Sequence, residues 1–205
     1  NRVTLPTQDP AKRFDRAKTC VACGYIHDGE AANDELCHGC GTSLDGANGL
    51  YMAGLLEMPT VATQRRERIT CDEEERQREG YHITTHYQFA PAPGGRVQRR
   101  RADALAPSGS HLLELTYAPQ ATLWHINHRW QRSQADGYTL DMTSGRWLSQ
   151  KDALEAPEGT TWPGVRLFVR QTANALLVRI PADGAEPPGL PLVATLQYAL
   201  ARGIQ

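Results

Sequence analysis

The stretch Cys20-Val21-Ala22-Cys23-Gly24 decides the fold of this chain together with Cys37-His38-Gly39-Cys40-Gly41, which repeats the Cys-x-x-Cys-Gly pattern after a polar spacer. The two-residue gap within each motif brings both sulfurs to one side of a tight turn. The glycine that follows permits the positive φ angle that closes the turn. Four thiolates complete a tetrahedral shell with no open position, so the pattern predicts one structural zinc ion bound by Cys20, Cys23, Cys37 and Cys40.

Other uses of these cysteines remain as alternatives. They could form two redox-active or free Cys-x-x-Cys pairs, and iron also binds in four-sulfur sites. His27 and His38 could compete as ligands, although four thiolates make neither necessary. Cys71 lies on a different predicted element and is expected to take no part in the site.

The spacer between the two motifs, residues 25–36, is polar. It contains Asp28-Gly29-Glu30 and Asn33-Asp34-Glu35, which are typical of turns. A loop of this kind has no core of its own, and a bound metal can supply the missing folding free energy. We therefore expect zinc to substitute for a core that is too small to fold alone.

The composition is that of an ordinary globular chain. The 205 residues are 40% hydrophobic and 22% charged, and the formal net charge is −1, which gives no overall signature of nucleic-acid or membrane binding. No apolar run approaches the roughly 18 residues of a membrane span. The absence of a charged-then-apolar leader favours reduced cysteines and a cytoplasmic location. Because the first residue is Asn1, we expect a fragment or a processed product.

Three regions are predicted along the chain. Residues 1–18 form a linker or a strand that leads into the domain, residues 19–46 form the zinc knuckle, and residues 47–205 form an α+β domain. The predicted fold class is accordingly α+β. A four-Cys zinc knuckle or ribbon is followed by a mostly antiparallel sheet with a few short helices.

The strand predictions rest on alternating apolar residues. Tyr81–Phe89 alternates in this way and is predicted to be a half-buried strand. Thr172-Ala173-Asn174 has the length of a hairpin connection between two later strands. The further predicted strands are His111–Tyr117, Thr122–Trp130, Val165–Gln171 and Ala175–Ile180.

Two helices are predicted from their end signals and apolar spacing. Thr70 and Glu73 form a capping box that begins a helix over about Cys71–Glu79. Apolar residues at helical spacing predict a second helix over Leu190–Arg202. The apolar segment Leu50–Met58 is expected to dock on the core.

Familiar catalytic motifs are absent from the sequence. It contains no phosphate loop, no Gly-x-Ser-x-Gly elbow and no His-Glu-x-x-His motif, so it cannot hydrolyse a nucleotide in the P-loop manner. His125 and His128 form a His-x-x-His pair, but on a strand they point to opposite faces, which indicates structural or surface roles. Asp136 and Asp141 flank a turn and have no special predicted role.

One group of arginines is a candidate for DNA binding. Arg96, Arg99, Arg100 and Arg101 follow a Gly-Gly turn, and no carboxylate balances them before Asp103. They could contact phosphates, and a solvated basic loop is the alternative. The arginines within residues 65–78 are interleaved with glutamates, a pattern typical of a solvated face or an ion-pair network.

Beyond the two motifs, the order of several short stretches resembles a known family. Arg65-Arg66-Glu67-Arg68-Ile69, followed by Asp72-Glu73-Glu74-Glu75-Arg76 and Gly80-Tyr81, is its most specific part. The remaining stretches are Leu55–Val61, Thr85–Phe89, Ile126-Asn127, Gly145-Arg146-Trp147, Asn174–Leu177 and Leu196–Leu200. Together they resemble the C-terminal zinc-binding (MZB-type) region of large bacterial DEAD/DEAH-box superfamily 2 DNA helicases, which serve DNA repair or antiviral (anti-phage) defence. The sequence departs from this pattern at Arg129, where a glycine is expected.

The resemblance implies a function for the parent protein and a supporting role for this segment. The parent would be an ATP-dependent DNA helicase or translocase, with ATP and Mg²⁺ bound in motor domains outside this segment. The segment itself would carry no catalytic residues. It would brace the motor domains of the same chain and contact single-stranded or forked DNA. A protein-docking scaffold for a partner subunit, without DNA contact, is the alternative, and an independent enzyme is a third and weaker one.

Overall fold

The computed structural model describes residues 14–58, 80–91, 97–130, 133, 135–181 and 189–203. Within these residues the chain forms nine strands and two α-helices, and the predicted α+β class with few short helices is confirmed. The strands are β1 Asp15–Cys20, β2 Ile26–Asp28, β3 Gly49–Glu57, β4 Tyr81–Phe89, β5 Arg100–Leu105, β6 His111–Trp130, β7 Tyr138–Asp141, β8 Trp147–Leu148 and β9 Thr161–Arg179. The helices are α1 Gln150–Glu155 and α2 Leu190–Gly203.

The strands form a sheet in the order β2-β1-β3-β9-β6-β4. In addition, β5 pairs with β6, and β7 pairs with both β8 and β9. The pairing of β3 with β9 is parallel, whereas the pairs of β1 with β2 and β3, and of β6 with β4 and β5, are antiparallel. The sheet is therefore mostly antiparallel, as predicted.

The chain divides into two compact units. The first unit comprises residues 1–97 and 121–173, and the second comprises residues 98–120 and 174–205. Residues 1–18 were predicted to be a linker or a strand that leads into the domain, and the described part of this region begins strand β1, Asp15–Cys20. The boundaries predicted at residues 18 and 46 stay predictions.

The core of the first unit surrounds the stacked rings of Trp124 and Phe168, whose centroids are 4.7 Å apart. Both residues are buried. The cluster consists of Ala17, Ile26, Met52, Leu55, Trp124, Ile126 and Phe168. The prediction that Leu50–Met58 docks on the core is therefore confirmed for the middle of that segment, although Leu50 and Tyr51 are exposed.

The predicted strand over Tyr81–Phe89 is present as β4, with one irregularity. A bulge between His82 and Ile83 shifts the register of its pairing with β6. Ile83 is exposed, whereas Phe89, at the other end of the strand, is buried. The extra residue is His128 of β6, and Ile83 and Phe89 lie on the same side of the bulge. Alternation therefore predicts that they share a face, but it does not predict how deeply each is buried.

The strands predicted over His111–Tyr117 and Thr122–Trp130 are both present, although treating them as two separate strands was wrong. The structure has one strand, β6, through the intervening Pro119. Pairing with β5 ends at Tyr117 and pairing with β4 begins at Ala121. The missing N–H of Pro119 therefore falls between two ladders and costs neither of them a hydrogen bond.

The predicted hairpin at Thr172-Ala173-Asn174 was also wrong, because β9 continues through all three residues. A tight hairpin generally needs a residue with positive φ. None of the three residues has one, since every positive φ angle in the described part of the chain belongs to a glycine. Three polar or small residues between apolar runs were therefore insufficient as a turn signal.

The C-terminal helix prediction is confirmed by α2. The predicted helix over 71–79, with its capping box and Cys71, lies outside the described residues, as does most of the turn predicted over 91–95. Among the helices that the structure describes, none is long and apolar enough to cross a membrane.

Candidate metal centre

The first Cys-x-x-Cys-Gly motif forms a closed turn at the end of β1. The amide of Gly24 donates to the carbonyl of Cys20 over 2.8 Å, and the amide of Cys20 donates to the carbonyl of Tyr25 over 2.9 Å. Gly24 has a φ angle of +76°. An L-residue with a side chain would be strained at this angle, which explains the glycine.

The second motif repeats this geometry. The amide of Gly41 donates to the carbonyl of Cys37 over 2.7 Å, and the amide of Cys37 donates to the carbonyl of Thr42 over 2.8 Å. The φ angle of Gly41 is +81°. The positive φ predicted for both glycines is therefore confirmed.

The fold brings together the four cysteines singled out in the sequence. The Sγ atoms of Cys20 and Cys40 are 3.7 Å apart, and those of Cys23 and Cys37 are 3.6 Å apart. All four sulfurs lie within 4.8 Å of one another, and all four residues are free thiols. A tetrahedral ion with metal–sulfur bonds of about 2.3 Å places its sulfurs about 3.8 Å apart. The donor set thus fits a single metal ion.

Hydrogen bonds and burial act unequally on the thiols. Burial raises the pKa of Cys23 and of Cys37, so these two groups favour the protonated form when no metal is bound. Burial acts in the same direction on Cys40, but hydrogen bonds with Thr42, Cys23 and Cys20 together outweigh it and bring the pKa of Cys40 down to about 6. The amide of Gly39 points at the sulfur of Cys37 over 3.3 Å. These donors stabilise negative charge on the sulfurs.

Tyr25 connects the two motifs to the sheet. It is buried, its ring meets that of Tyr87 edge-on with the centroids 5.5 Å apart, and the ring of Phe89 is 5.9 Å away. A Cβ atom at Gly39 would lie only 2.9 Å from the Tyr25 side chain. The second motif therefore packs directly on Tyr25, and only glycine fits at this contact.

A chain of hydrogen bonds also reaches the first motif. The carbonyl of Gly24 lies 3.2 Å from Nδ1 of His86, whose Nε2 lies 3.0 Å from the hydroxyl of Thr84. That hydroxyl is 2.7 Å from Nε2 of His128. Because a carbonyl can only accept, His86 donates to Gly24, Thr84 donates to His86, and His128 donates to Thr84.

The direction of these hydrogen bonds decides the role of His128. A general base must accept the proton of the hydroxyl that it activates, whereas His128 donates to Thr84. Nδ1 of His128 is 4.0 Å from the nearest Asp136 oxygen, which is too long for a hydrogen bond. His128 is therefore a structural donor to Thr84, as predicted, and His86 is the ring that accepts from this hydroxyl. His125 contacts the hydroxyl of Thr85 on the opposite face, also as predicted.

No sequence pattern predicted a charged cluster on the first unit. Arg170 forms a forked ion pair with Glu57, with Nε 2.7 Å from Oε1, and its guanidinium lies 5.0 Å from the ring centroid of Trp124. Asp28 is 3.8 Å from the same guanidinium. The pairing of β3 with β9 brings Glu57 and Arg170 together, and residues so distant in sequence cannot be matched from the sequence alone.

The structure separates the candidate DNA-binding arginines. Arg96 lies outside the described residues. Arg100 and Arg101 belong to β5 and are exposed, so the basic loop predicted here is a strand at these two positions. Because side chains alternate along a strand, Arg100 and Arg101 point to opposite faces. Arg99 precedes the strand. Arg99 is half-buried.

Comparisons of this chain with protein-family models, with curated proteins and with solved structures found no match.

Proposed function

We propose that this chain is a non-catalytic, zinc-binding accessory region of an ATP-dependent DNA helicase or translocase. The observation that carries the proposal is the closed set of four thiols. All four coordination positions of a tetrahedral ion would be filled by the protein, which leaves none for a substrate or water. Such a site stabilises a fold and performs no chemistry.

The donor set favours zinc over other ions. Four thiolates in a tetrahedron suit zinc or iron, whereas magnesium and calcium bind oxygen ligands. The spacing of the sulfurs fits bonds of about 2.3 Å. Zinc bound here would tie together two motifs that pack on Tyr25, and so hold the knuckles against β4.

The parent's activity is supported by the sequence resemblance, and DNA contact is supported by one feature of the second unit. In the pairing of β5 with β6, Arg100 lies opposite Tyr117. Both residues are exposed. An arginine next to an exposed aromatic ring can bind a phosphate while a base stacks on the ring. Arg101 lies on the other face with Asp103, whose negative charge weakens its attraction for phosphate.

The test is salt-dependent binding to single-stranded and forked DNA. Replacing Arg100 and Arg101 with Ala should flatten the slope of log K against log[salt] by about 0.7 if Arg100 alone neutralises a phosphate and by about 1.4 if both do, because each neutralised phosphate contributes about 0.7 on a single strand. Arg100→Ala should weaken binding more than Arg101→Ala. Tyr117→Ala should weaken binding and leave the slope unchanged, since stacking releases no counterions. Fluorescence anisotropy at several salt concentrations measures both quantities.

A matched control is Arg146→Ala, which removes an exposed arginine of the first unit and should leave affinity and slope unchanged. Equal affinity and slope in the wild-type protein and the Arg100/Arg101 variant would contradict DNA contact at β5. That result would favour the second candidate function, a protein-docking scaffold.

The docking alternative has one observation in its favour. Helix α2 exposes the apolar side chains of Leu192, Val193 and Tyr198. Apolar groups on one helix are a common basis of protein recognition. The motor domains of the same chain or a partner subunit would be the proteins bound.

A further inference from the structure

A second group of metal-binding side chains lies between and within the two knuckles. His27 is on β2, Asp34 is in the spacer and His38 is in the second motif. One ligand atom from each lies within 4.8 Å of the others. Nε2 of His38 is 2.9 Å from Oδ2 of Asp34, and the rings of His27 and His38 are 4.9 Å apart.

The state of His27 points to a missing ligand. Its side chain is fully buried, with a relative exposure of 0%. Within the described part of the chain, neither of its ring nitrogens has a hydrogen-bond partner. A buried polar atom without a partner costs roughly 1–3 kcal/mol, so native structures generally provide one. Neither Asp34 nor His38 forms a hydrogen bond with the His27 ring in the described structure.

An ordinary surface ion pair does not account for the cluster. Asp34 and His38 are four residues apart and partly exposed, and such pairs are common and weak. That explanation covers two of the three residues and leaves the imidazole of His27 unsatisfied. An ion held between all three residues would satisfy it.

We propose that His27, Asp34 and His38 form a second metal site, which binds a divalent transition ion of the zinc class. Two imidazole nitrogens and one carboxylate oxygen are borderline donors suited to such ions. Three protein ligands leave one position for water, unlike the closed shell of four thiols. The proposal is independent of the helicase assignment.

The surroundings permit a bound cation. The carboxylate of Asp34 supplies a negative charge, and the ammonium of Lys18, which would oppose a cation, is engaged with the backbone carbonyl of Asp34 over 3.2 Å. The side chain of His38 is 48% exposed, which gives an ion access from solvent. The site should therefore exchange its ion more readily than the four thiolates do.

The experiment is a Zn²⁺ titration of the whole chain already holding one equivalent of zinc, followed by calorimetry. The wild-type protein should bind one further equivalent. Asp34→Asn and His38→Ala should each weaken that second equivalent by at least about 10-fold, the effect that even an outer-shell change produces. Both side chains are partly exposed, so these variants should keep the fold. Glu35→Gln and His111→Ala replace exposed residues of the same types and should bind like the wild type.

Cobalt distinguishes the two sites by their spectra. Co²⁺ in the thiolate site gives sulfur-to-metal charge-transfer bands, whereas Co²⁺ bound to His27, Asp34 and His38 adds only weak visible bands. The weak bands should disappear in Asp34→Asn, and the charge-transfer bands should remain. A wild-type protein that binds one equivalent in total would overturn the proposal, and so would a second equivalent bound equally by Asp34→Asn and His38→Ala.

Discussion

The two compact units of this chain hold similar strands in place by different means. The first unit buries the stacked pair of Trp124 and Phe168 and gathers four thiols. In the second unit Ala118 is the only buried residue among those that the structure describes, and apolar side chains such as Leu112 and Leu176 are exposed. Both units contain extended strands with alternating residues. Strands therefore occur in this chain both with and without a buried hydrophobic core.

The contrast has an energetic consequence. Each buried large side chain contributes about 1.5–3 kcal/mol to folding, and removing one also leaves a cavity. Single substitutions in the first unit should therefore have large effects. Substitutions in the second unit, where side chains stay in contact with water, should have small ones. Three substitutions test this difference.

The largest effect is expected from Cys37→Ser. It removes one of four ligands from a site whose apparent binding free energy is of order 10–16 kcal/mol if zinc occupies it. The variant should lose the ion of the four-thiol site, and amide exchange should become fast over residues 14–58. Metal analysis and hydrogen exchange measure the two outcomes.

The control for this change is Cys71→Ser, which should leave the metal content unchanged. A Cys37→Ser variant that binds as many metal ions as the wild type, or metal lost from Cys71→Ser, would show that the ligands have been misassigned. If amide protection against hydrogen exchange stays unchanged in the second unit of Cys37→Ser, the contrast between the two units is strengthened.

A smaller effect is expected in the hydrophobic core. Trp124→Ala should lower the free energy of unfolding by about 3–5 kcal/mol, because it removes the ring stacked on Phe168 and leaves a cavity. Leu176→Ala, at an exposed position of β9 in the second unit, should change it by less than about 0.5 kcal/mol. Urea unfolding of both variants measures the difference. Similar losses in the two variants would break the comparison between the units.

The smallest effect concerns pH. Burial, followed by the nearby His82, lowers the pKa of His128 in the folded protein. The unfolded chain therefore binds a proton at His128 near pH 6.5 that the folded protein does not bind. Below that pH the folded state loses stability at up to about 1.4 kcal/mol per pH unit, until the pH reaches the folded pKa.

The measurement for this prediction is urea unfolding between pH 7 and pH 5. His128→Gln should remove this part of the pH dependence, and His111→Gln, at an exposed position in the second unit, should not. Release of metal by acid is common to all the proteins, so the difference between variants isolates His128. Parallel curves for the wild type and His128→Gln would show that the buried imidazole has no such role.

Particular residues show how much the sequence could predict. The knuckle cysteines and their glycines were identifiable because spacing and chirality act within a few residues. Strand β4 and helix α2 were identifiable from their periodicity. The prediction of a hairpin at Thr172–Asn174 was wrong, because three polar or small residues resemble a turn although β9 continues through them. The continuity of β6 through Pro119 was missed, because the partner of this strand changes from β5 to β4 near that residue.

The sequence by itself determined the four candidate thiolate ligands, the turns that present them, and the α+β class, because each depends on interactions between near neighbours in the chain. Only the tertiary structure decided which faces were buried and which distant charges met. Arg170 reaches Glu57, and His27 lies beside Asp34 and His38, because strand pairing and the two cysteine motifs bring them together. Contacts of this kind depend on the path of the whole backbone, which no local pattern encodes.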